Sequence, residues 1–461
     1  MAPKFGTSGL RGLVVELTPD LVADYIRAFL AACPVGSGLF VARDLRDSSP
    51  AIADVVIETA RAEGISVTDC GPVPTPALAL AAMGAGAAAV MVTGSHIPAD
   101  RNGLKFYVPQ GEITKADEAA ILAALGRTPR KGDAASLTGN KTAGAEWVAR
   151  YLTGFGAAAL TGLRVGVWSH SAVSRDMLSQ AMRALGAEAV EVGRSDVFIA
   201  IDTEAVPQDT RKAIRHWVIG HGLDALVSTD GDGDRPLLAD ETGTVVPGDI
   251  LGQITARQVG ADTVVTPVTS NGGAELSGHF NRVVRTKVGS PFVIAGMEQA
   301  QGRVAGYEAN GGFVLGFDAR CPGPLPRLMT RDSLLPLVAV LVAGRAQGGI
   351  SRLIAQEPLR VTLSDRIENI DTQRSQDMIA ALQERADLRE AFLHGLGLIA
   401  AGVDLRDGLR MNATGGEVVH LRPSGNAPEL RIYVESASHE SAGHLMNSAR
   451  ASLCAMLGLS G

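Results

Sequence analysis

Between residues 18 and 343 helix-type and strand-type patterns alternate, and that alternation confines the chain to an α/β fold. Thr18-Pro19 opens a helix through about Cys33, Gly38 to Ala42 reads as a strand, Ser49-Pro50 caps a helix to about Glu63, and Ser66 to Asp69 is another strand. Thr114 caps a further helix. The alternation recurs from Gly162 to Ala200 and from Asp262 to Ala343, which gives three similar α/β domains of roughly a hundred residues each. The predicted boundaries are 1–140, 141–247 and 248–356, with the polar stretch Gly139 to Gly144 as first linker. Residues 357–461 differ. A strand near Arg360 to Leu363, a helix near Gln373 to Arg385, strands at Val418 to Leu421 and Leu430 to Glu435, and a final helix from about His439 to Met456 describe an α+β domain.

Residues 87–107 carry the densest signal. Small and apolar residues run into Thr93-Gly94-Ser95-His96, then Pro98, Asn102-Gly103 and Lys105. The run reads as a buried strand that Gly94 and Pro98 end, so Ser95 is presented on a turn at a strand's carboxyl end, where open α/β sheets place reactive groups. A lone serine hydroxyl is a weak nucleophile, and His96 and Lys105 are its candidate activators or charge partners. Taken alone, the segment fits a surface turn with a capping serine equally well.

Asp230, Asp232 and Asp234 alternate along one loop between a strand at Asp224 to Val227 and a hairpin beginning at Pro236. Such carboxylates repel unless a cation gathers them, and their hard oxygens suit Mg²⁺ or Ca²⁺. The spacing also matches an EF-hand through Glu241, but Arg235 stands where that loop needs glycine and the flanks are strand-like. A third segment, Leu421 to Arg431, places Arg422 and Arg431 around Ser424-Gly425-Asn426; guanidinium forks and open backbone suit a phosphate dianion, though a solvated turn has the same look.

These three segments, with Phe5 to Gly12 (FGTSGLRG) and Tyr307 to Gly312 (YEANGG), resemble the α-D-phosphohexomutase family of phosphoglucomutase, phosphomannomutase and phosphoglucosamine mutase, in the family's order and over nearly the whole chain. In wording they are most like bacterial phosphomannomutases. The resemblance implies four domains with mixed sheets around a central cleft, and an enzyme that passes a phosphoryl group through a phosphoserine and a hexose 1,6-bisphosphate. By position, Ser95 is the phosphorylated serine and, with Asp230, Asp232 and Asp234, holds Mg²⁺. Lys105 is the candidate acid or base, with His96 beside it, and Arg11 and Arg235 oppose the charge of the transferring group. Glu308 and Asn310 grip sugar hydroxyls, and Lys287 matches a loop that reaches the sugar. Arg422, Ser424, Gly425, Asn426 and Arg431 clamp the remote phosphate. Two departures stand out. The sugar loop usually reads Gly-Glu-x-Ser-Gly, often followed by His, where this chain has Gly312. Asn426-Ala427 replaces Thr-Glu in the phosphate loop.

Composition agrees with a multidomain enzyme acting on a small hexose phosphate. At 461 residues and net charge −7 the chain disfavours nucleic acid and anionic membranes as partners. Aromatic content of 4% leaves the cores to Ala, Val, Leu and Ile. Cys33, Cys70, Cys321 and Cys454 lack metal-like spacing and are expected as reduced buried thiols; with no apolar signal core, the expected location is the cytoplasm, as monomer or homodimer. His216, His221 and His279 read as packing or surface residues, and Arg43, Asp44 and Arg46 fit either a surface ion network or a support for the cleft. An inert sugar-phosphate-binding relative is the alternative from another functional class.

Overall fold

The computed structural model describes residues 3–6, 9–358, 360–423 and 429–459. The chain divides into two compact units: residues 1–264 with 289–356, and residues 265–288 with 357–461.

In the first unit, an eight-stranded sheet runs Lys4–Phe5, Leu10–Leu13, Arg101–Val108, Ala88–Val92, Leu39–Arg43, Val67–Pro72, Leu137–Gly139, with Gly111–Glu112 added beside Arg101–Val108. It is mixed, as expected: Leu39–Arg43 lies parallel to both neighbours, while Arg101–Val108 is antiparallel to Ala88–Val92. The Ala-Val run became a strand because all five of its residues are buried, as in a sheet covered on both faces. Helices Pro19–Ala32 and Ser49–Ala62 pack their apolar faces, including Ile26, Phe29, Ile52 and Val56, into one core with Leu39, Val41 and Val90. Thr18 caps the first of these by accepting from Leu21 N–H, as its Thr-Pro start suggests.

Gly139 belongs to this sheet, pairing with Asp69, and Ala143 and Gly144 open helix Ala143–Phe155, so of the stretch Gly139 to Gly144 residues 140–142 lie outside a strand or helix. A second sheet runs Glu188–Val192, Arg164–Trp168, Ala225–Thr229, Pro236–Ala239. Its last pair is antiparallel, with Thr229 opposite Pro236, which leaves residues 230–235 as the loop at its tip; of the hairpin expected from Pro236 onward the structure has an isolated antiparallel bridge, Ala239 to Val245. A third antiparallel set, Val304–Tyr307, Phe313–Leu315 and Leu328–Asp332, pairs Tyr307 with Phe313 and Phe313 with Asp332. Residues 308–312 therefore close a turn beside the end of the third strand.

In the second unit, Val361–Glu368, Glu429–Ser436, Val418–Pro423, Leu409–Ala413 and Ala400–Asp404 form one antiparallel sheet in that order. Helices Thr372–Glu384, Ala386–Gly395 and His439–Met456 supply Ile379, Leu382, Phe392, Leu445, Ala449 and Leu453 to its core. This is the expected α+β domain. All four cysteines are buried and free, and burial pushes the Cys33 and Cys70 thiols up to about 11 and about 12. Among the described residues no helix is long and apolar enough to cross a membrane.

Candidate active site

Ser95 has a left-handed backbone, φ 55°, a conformation that costs a non-glycine residue about 1–3 kcal/mol and persists only where its surroundings enforce it. The enforcement is visible. Ser95 N–H donates to Thr93 Oγ1 at 2.7 Å, and Thr93 Oγ1–H donates to Asp44 Oδ2 at 2.7 Å. From beneath, Arg46 donates through Nη2 to the carbonyls of Ser95 (2.9 Å) and Ile97 (2.6 Å), and through Nη1 to those of Pro98 (2.6 Å) and Arg101 (2.9 Å). Its Nε donates to Asp44 Oδ2 at 3.1 Å, and Phe198 stacks on the guanidinium at 4.0 Å. Gly94 is required by close approach: a Cβ there would lie 2.5 Å from Arg46 Cζ. Of the two roles open to Asp44 and Arg46, the structure assigns support of the serine turn.

The strained turn delivers the serine hydroxyl to the acidic loop, where Ser95 Oγ donates to Asp230 Oδ2 at 2.6 Å. Asp230, Asp232 and Asp234 are fully buried and offer carboxylate oxygens within 4.8 Å of one another. Residues distant in sequence brace the loop. Thr75 donates through Oγ1 to Asp232 Oδ2 (2.6 Å) and through N–H to the Asp232 carbonyl (2.9 Å), and Ser333 Oγ donates to the Gly233 carbonyl (2.7 Å). Lys105, opposite Met91 in the sheet, donates from Nζ to Asp232 Oδ2 and Asp234 Oδ2. Asp232 Oδ1 and Asp234 Oδ1 are buried without a hydrogen-bond partner among the described residues. Unsatisfied buried carboxylate oxygens are costly, so this donor set fits a hard divalent cation such as Mg²⁺.

The charges shape one another. Burial, reinforced by Asp232 and Asp234, pushes Asp230 up to about 8. Asp232 moves the other way: burial opposes its charge, but the Lys105 ammonium outweighs that and holds it far below the usual carboxylate range. Arg11, opposite Gly103 in the sheet, donates from Nη1 to the Thr93 carbonyl at 2.9 Å, and burial lowers it to about 10. The Arg235 charge, then burial, holds His96 well below the usual imidazole value, and its Nδ1 has no hydrogen-bond partner among the described residues. Arg235 N–H closes the acidic loop onto Asp230 Oδ1 at 3.2 Å.

Glu308 and Asn310 occupy the neighbouring turn. Asn310 Oδ1 accepts from Gly312 N–H at 3.0 Å, and the Asn310 carbonyl accepts from Thr203 Oγ1 at 2.7 Å. Arg331 Nη1 donates to Glu308 Oε2 at 3.4 Å, while its Nη2 lies 2.8 Å from Asp234 Oδ2. Sequence reasoning passed over Thr75, Phe198, Ser333 and Arg331, because each sits far from the loop it supports and no motif spans the gap.

The remaining candidates belong to the second unit. Arg422 and Arg431 are paired across adjacent strands. Asp407 accepts from Arg422 Nε at 2.9 Å and from Val288 N–H at 2.9 Å, so one carboxylate fixes both Arg422 and the loop of Lys287. Arg431 pairs with Glu429 at 3.0 Å. Ser424, Gly425 and Asn426 lie outside the described residues. His216, His221 and His279 are exposed, in keeping with a surface role.

Comparison with known proteins gives one answer along the chain. Residues 2–130, 147–243 and 240–360 match phosphoglucomutase/phosphomannomutase alpha/beta/alpha domains I, II and III, and residues 368–452 match the C-terminal domain. The chain is 45% identical to a phosphomannomutase of Sinorhizobium fredii, covering 97% of this chain and 98% of that protein. It is 40% identical to a phosphomannomutase of Salmonella muenchen (98% and 96% covered) and 30% identical to a phosphoglucosamine mutase of Alkalilimnicola ehrlichii (94% and 92% covered). In fold it is similar to a phosphoglucomutase/phosphomannomutase family protein of Burkholderia thailandensis, with TM-score 0.77 at 22% identity and 97% of each chain covered.

Proposed function

The chain belongs to the phosphoglucomutase/phosphomannomutase family and is a phosphohexomutase, an isomerase, and we propose that its reaction is the interconversion of mannose 6-phosphate and mannose 1-phosphate. The observation that carries the mechanism is the Ser95 hydroxyl, held in a strained turn 2.6 Å from Asp230 and beside two buried carboxylates with orphaned oxygens.

In the resting enzyme Ser95 carries a phosphoryl group. Asp230, Asp232, Asp234 and that phosphate would hold Mg²⁺, which supplies the positive charge that lets a phosphate of charge about −2 lie against three aspartates. Arg11 and Arg235 oppose charge on the transferring oxygens, and Lys105 supplies a proton to Ser95 Oγ as the bond from that oxygen to phosphorus breaks. A new bond forms from phosphorus to the free sugar hydroxyl, whose proton passes to the Lys105 amine just left neutral, giving the hexose 1,6-bisphosphate. The sugar turns end for end, Ser95 Oγ takes the other phosphoryl group, and the isomeric monophosphate departs. Glu308 and Asn310 orient the hydroxyls, while Lys287, Arg422, Ser424, Gly425, Asn426 and Arg431 clamp the phosphate that is not reacting. That remote binding energy positions the sugar.

The 45% and 40% identical phosphomannomutases favour mannose; glucose phosphates are the second reading, since an axial and an equatorial hydroxyl differ by only one contact. Phosphorus NMR of mannose 1-phosphate and glucose 1-phosphate, with Mg²⁺ and a trace of bisphosphate, decides. A higher kcat/KM for mannose supports the proposal, and a higher value for glucose reverses the assignment.

A further inference from the structure

The turn at 308–312 ends in Gly312, and the space a side chain there would need is filled. A Cβ at Gly312 would lie 2.8 Å from Arg331 Cδ and 3.1 Å from Cγ. Strand pairing puts Arg331 there, since Asp332 lies opposite Phe313, the residue that follows Gly312. Its side chain is 3% exposed and faces three carboxylates: Asp234 Oδ2 at 2.8 Å from Nη2, Glu308 Oε2 at 3.4 Å from Nη1, and Glu112 Oε1 at 3.9 Å from Nε. Glu112 is itself held by Ser290 Oγ, which donates to its Oε2 at 2.7 Å.

We propose that Arg331 is the positioning residue that locks the sugar-gripping turn to the metal-binding loop, and that Gly312 is glycine so that this guanidinium can stand in its place. The inference rests on the mutase reading of the site. A guanidinium does not exchange its proton near neutral pH, so Arg331 acts by fixed charge and by the hydrogen bond from Nη1 to Glu308. Nη1 donates to the Glu308 carboxylate, while Nη2 makes an ion pair, not a hydrogen bond, with the Asp234 carboxylate that Lys105 also meets. Each carboxylate belongs to a different loop, so the distance between sugar grip and phosphoryl-transfer centre is set by one rigid plane. A lysine ammonium can meet two carboxylates, as Lys105 does, but as a point charge it cannot hold Glu308 and Asp234 at the separation of two guanidinium nitrogens.

The test is steady-state kinetics of Arg331→Ala, Arg331→Lys and Gly312→Ala on hexose phosphate, each with and without millimolar guanidinium, beside thermal melts. Arg331→Ala is expected to lose roughly a hundredfold in kcat/KM, with KM rising because Glu308 is no longer aimed. Guanidinium should recover about tenfold in Arg331→Ala and nothing in the wild type. Arg331→Lys should lose about tenfold despite keeping the charge. The backbone at 312 is not left-handed, so Gly312→Ala should fold, and its expected loss of about tenfold comes from displacing Arg331. Should Arg331→Ala fail to fold, the other two variants carry the test. Near-wild-type kcat/KM in both Arg331→Lys and Gly312→Ala overturns the inference while leaving the mutase reading intact. So does a folded Arg331→Ala that guanidinium does not rescue. A wild-type enzyme without hexose phosphate turnover overturns the mutase reading, and this inference with it.

Discussion

Replacing Arg46 by methionine removes all five hydrogen bonds its guanidinium makes, to Asp44 and to the carbonyls of Ser95, Ile97, Pro98 and Arg101, in a site where the arginine is 1% exposed. Two costs follow. Asp44 keeps Ser49 and Thr93 as donors but loses its counter-charge, and breaking a buried ion pair from one side costs about 3–5 kcal/mol. Four carbonyls also lose a donor, at about 1–3 kcal/mol for each one that water cannot reach. Since all four lie between residues 95 and 101, the loss falls on the serine turn. The ion-pair cost alone lowers the local opening free energy of residues 93–101 by about 3–5 kcal/mol, so amide exchange at Ser95 and Ile97 should rise by at least about 10²–10³·⁷. The assay is hydrogen exchange by mass spectrometry on peptides spanning 93–101, compared with peptides from helix Pro19–Ala32. Activity should fall by at least a similar factor, because the φ 55° conformation of Ser95 loses what enforces it. Unchanged exchange in 93–101, or an equal rise across the whole first unit, would refute the idea that Arg46 serves this turn in particular.

Two other outcomes follow from single carboxylates. Burial pushes Asp332 up to about 6; its Oδ1 accepts from Trp147 Nε1 (3.3 Å) and Leu334 N–H (3.0 Å), and its Oδ2 has no hydrogen-bond partner among the described residues. A raised carboxyl contributes stability that is complete below about 4 and lost as pH rises through about 6, so Asp332→Asn should keep both bonds, flatten the fall in Tm over that window, and stabilise at pH 7 by up to about 3 kcal/mol; an unchanged pH profile would count against it. Asp407→Ala frees Arg422 and the Val288 amide together, and is expected to raise KM for hexose phosphate by about tenfold or more with a smaller change in kcat; the opposite split would exclude Asp407 as organiser of the phosphate clamp.

What the sequence made legible were features whose cause is local. The Thr18 cap and the buried Ala-Val strand each follow from neighbouring residues, and the structure has both; that the aspartate loop is the tip of a hairpin between Ala225–Thr229 and Pro236–Ala239 emerges only from strand pairing. Ser95 and the aspartates were legible because each sits on a turn its own flanks dictate. That Ser95 donates to Asp230, 135 residues away, was implied only by resemblance; topology makes it real. The braces were illegible for the same reason in reverse. Arg331 reaches Asp234 and Glu308 through strand register, and Thr75 reaches Asp232 from a helix start, so neither leaves a local pattern. The sequence leaves Asp44 and Arg46 between a surface ion network and support of the cleft, and that they hold the serine turn comes from the fold alone. Gly139 was read as linker because a three-residue edge strand has too little pattern to register.

The central claim is that Ser95 carries the phosphoryl group in transit. Peptide mass spectrometry after incubation with hexose 1,6-bisphosphate and Mg²⁺, followed by a chase with ¹³C-labelled mannose 1-phosphate, tests it most directly. The account predicts one phosphate, on Ser95, leaving during the chase as an equal amount of labelled bisphosphate appears. Phosphate on another residue, or continued turnover by Ser95→Ala, would contradict it.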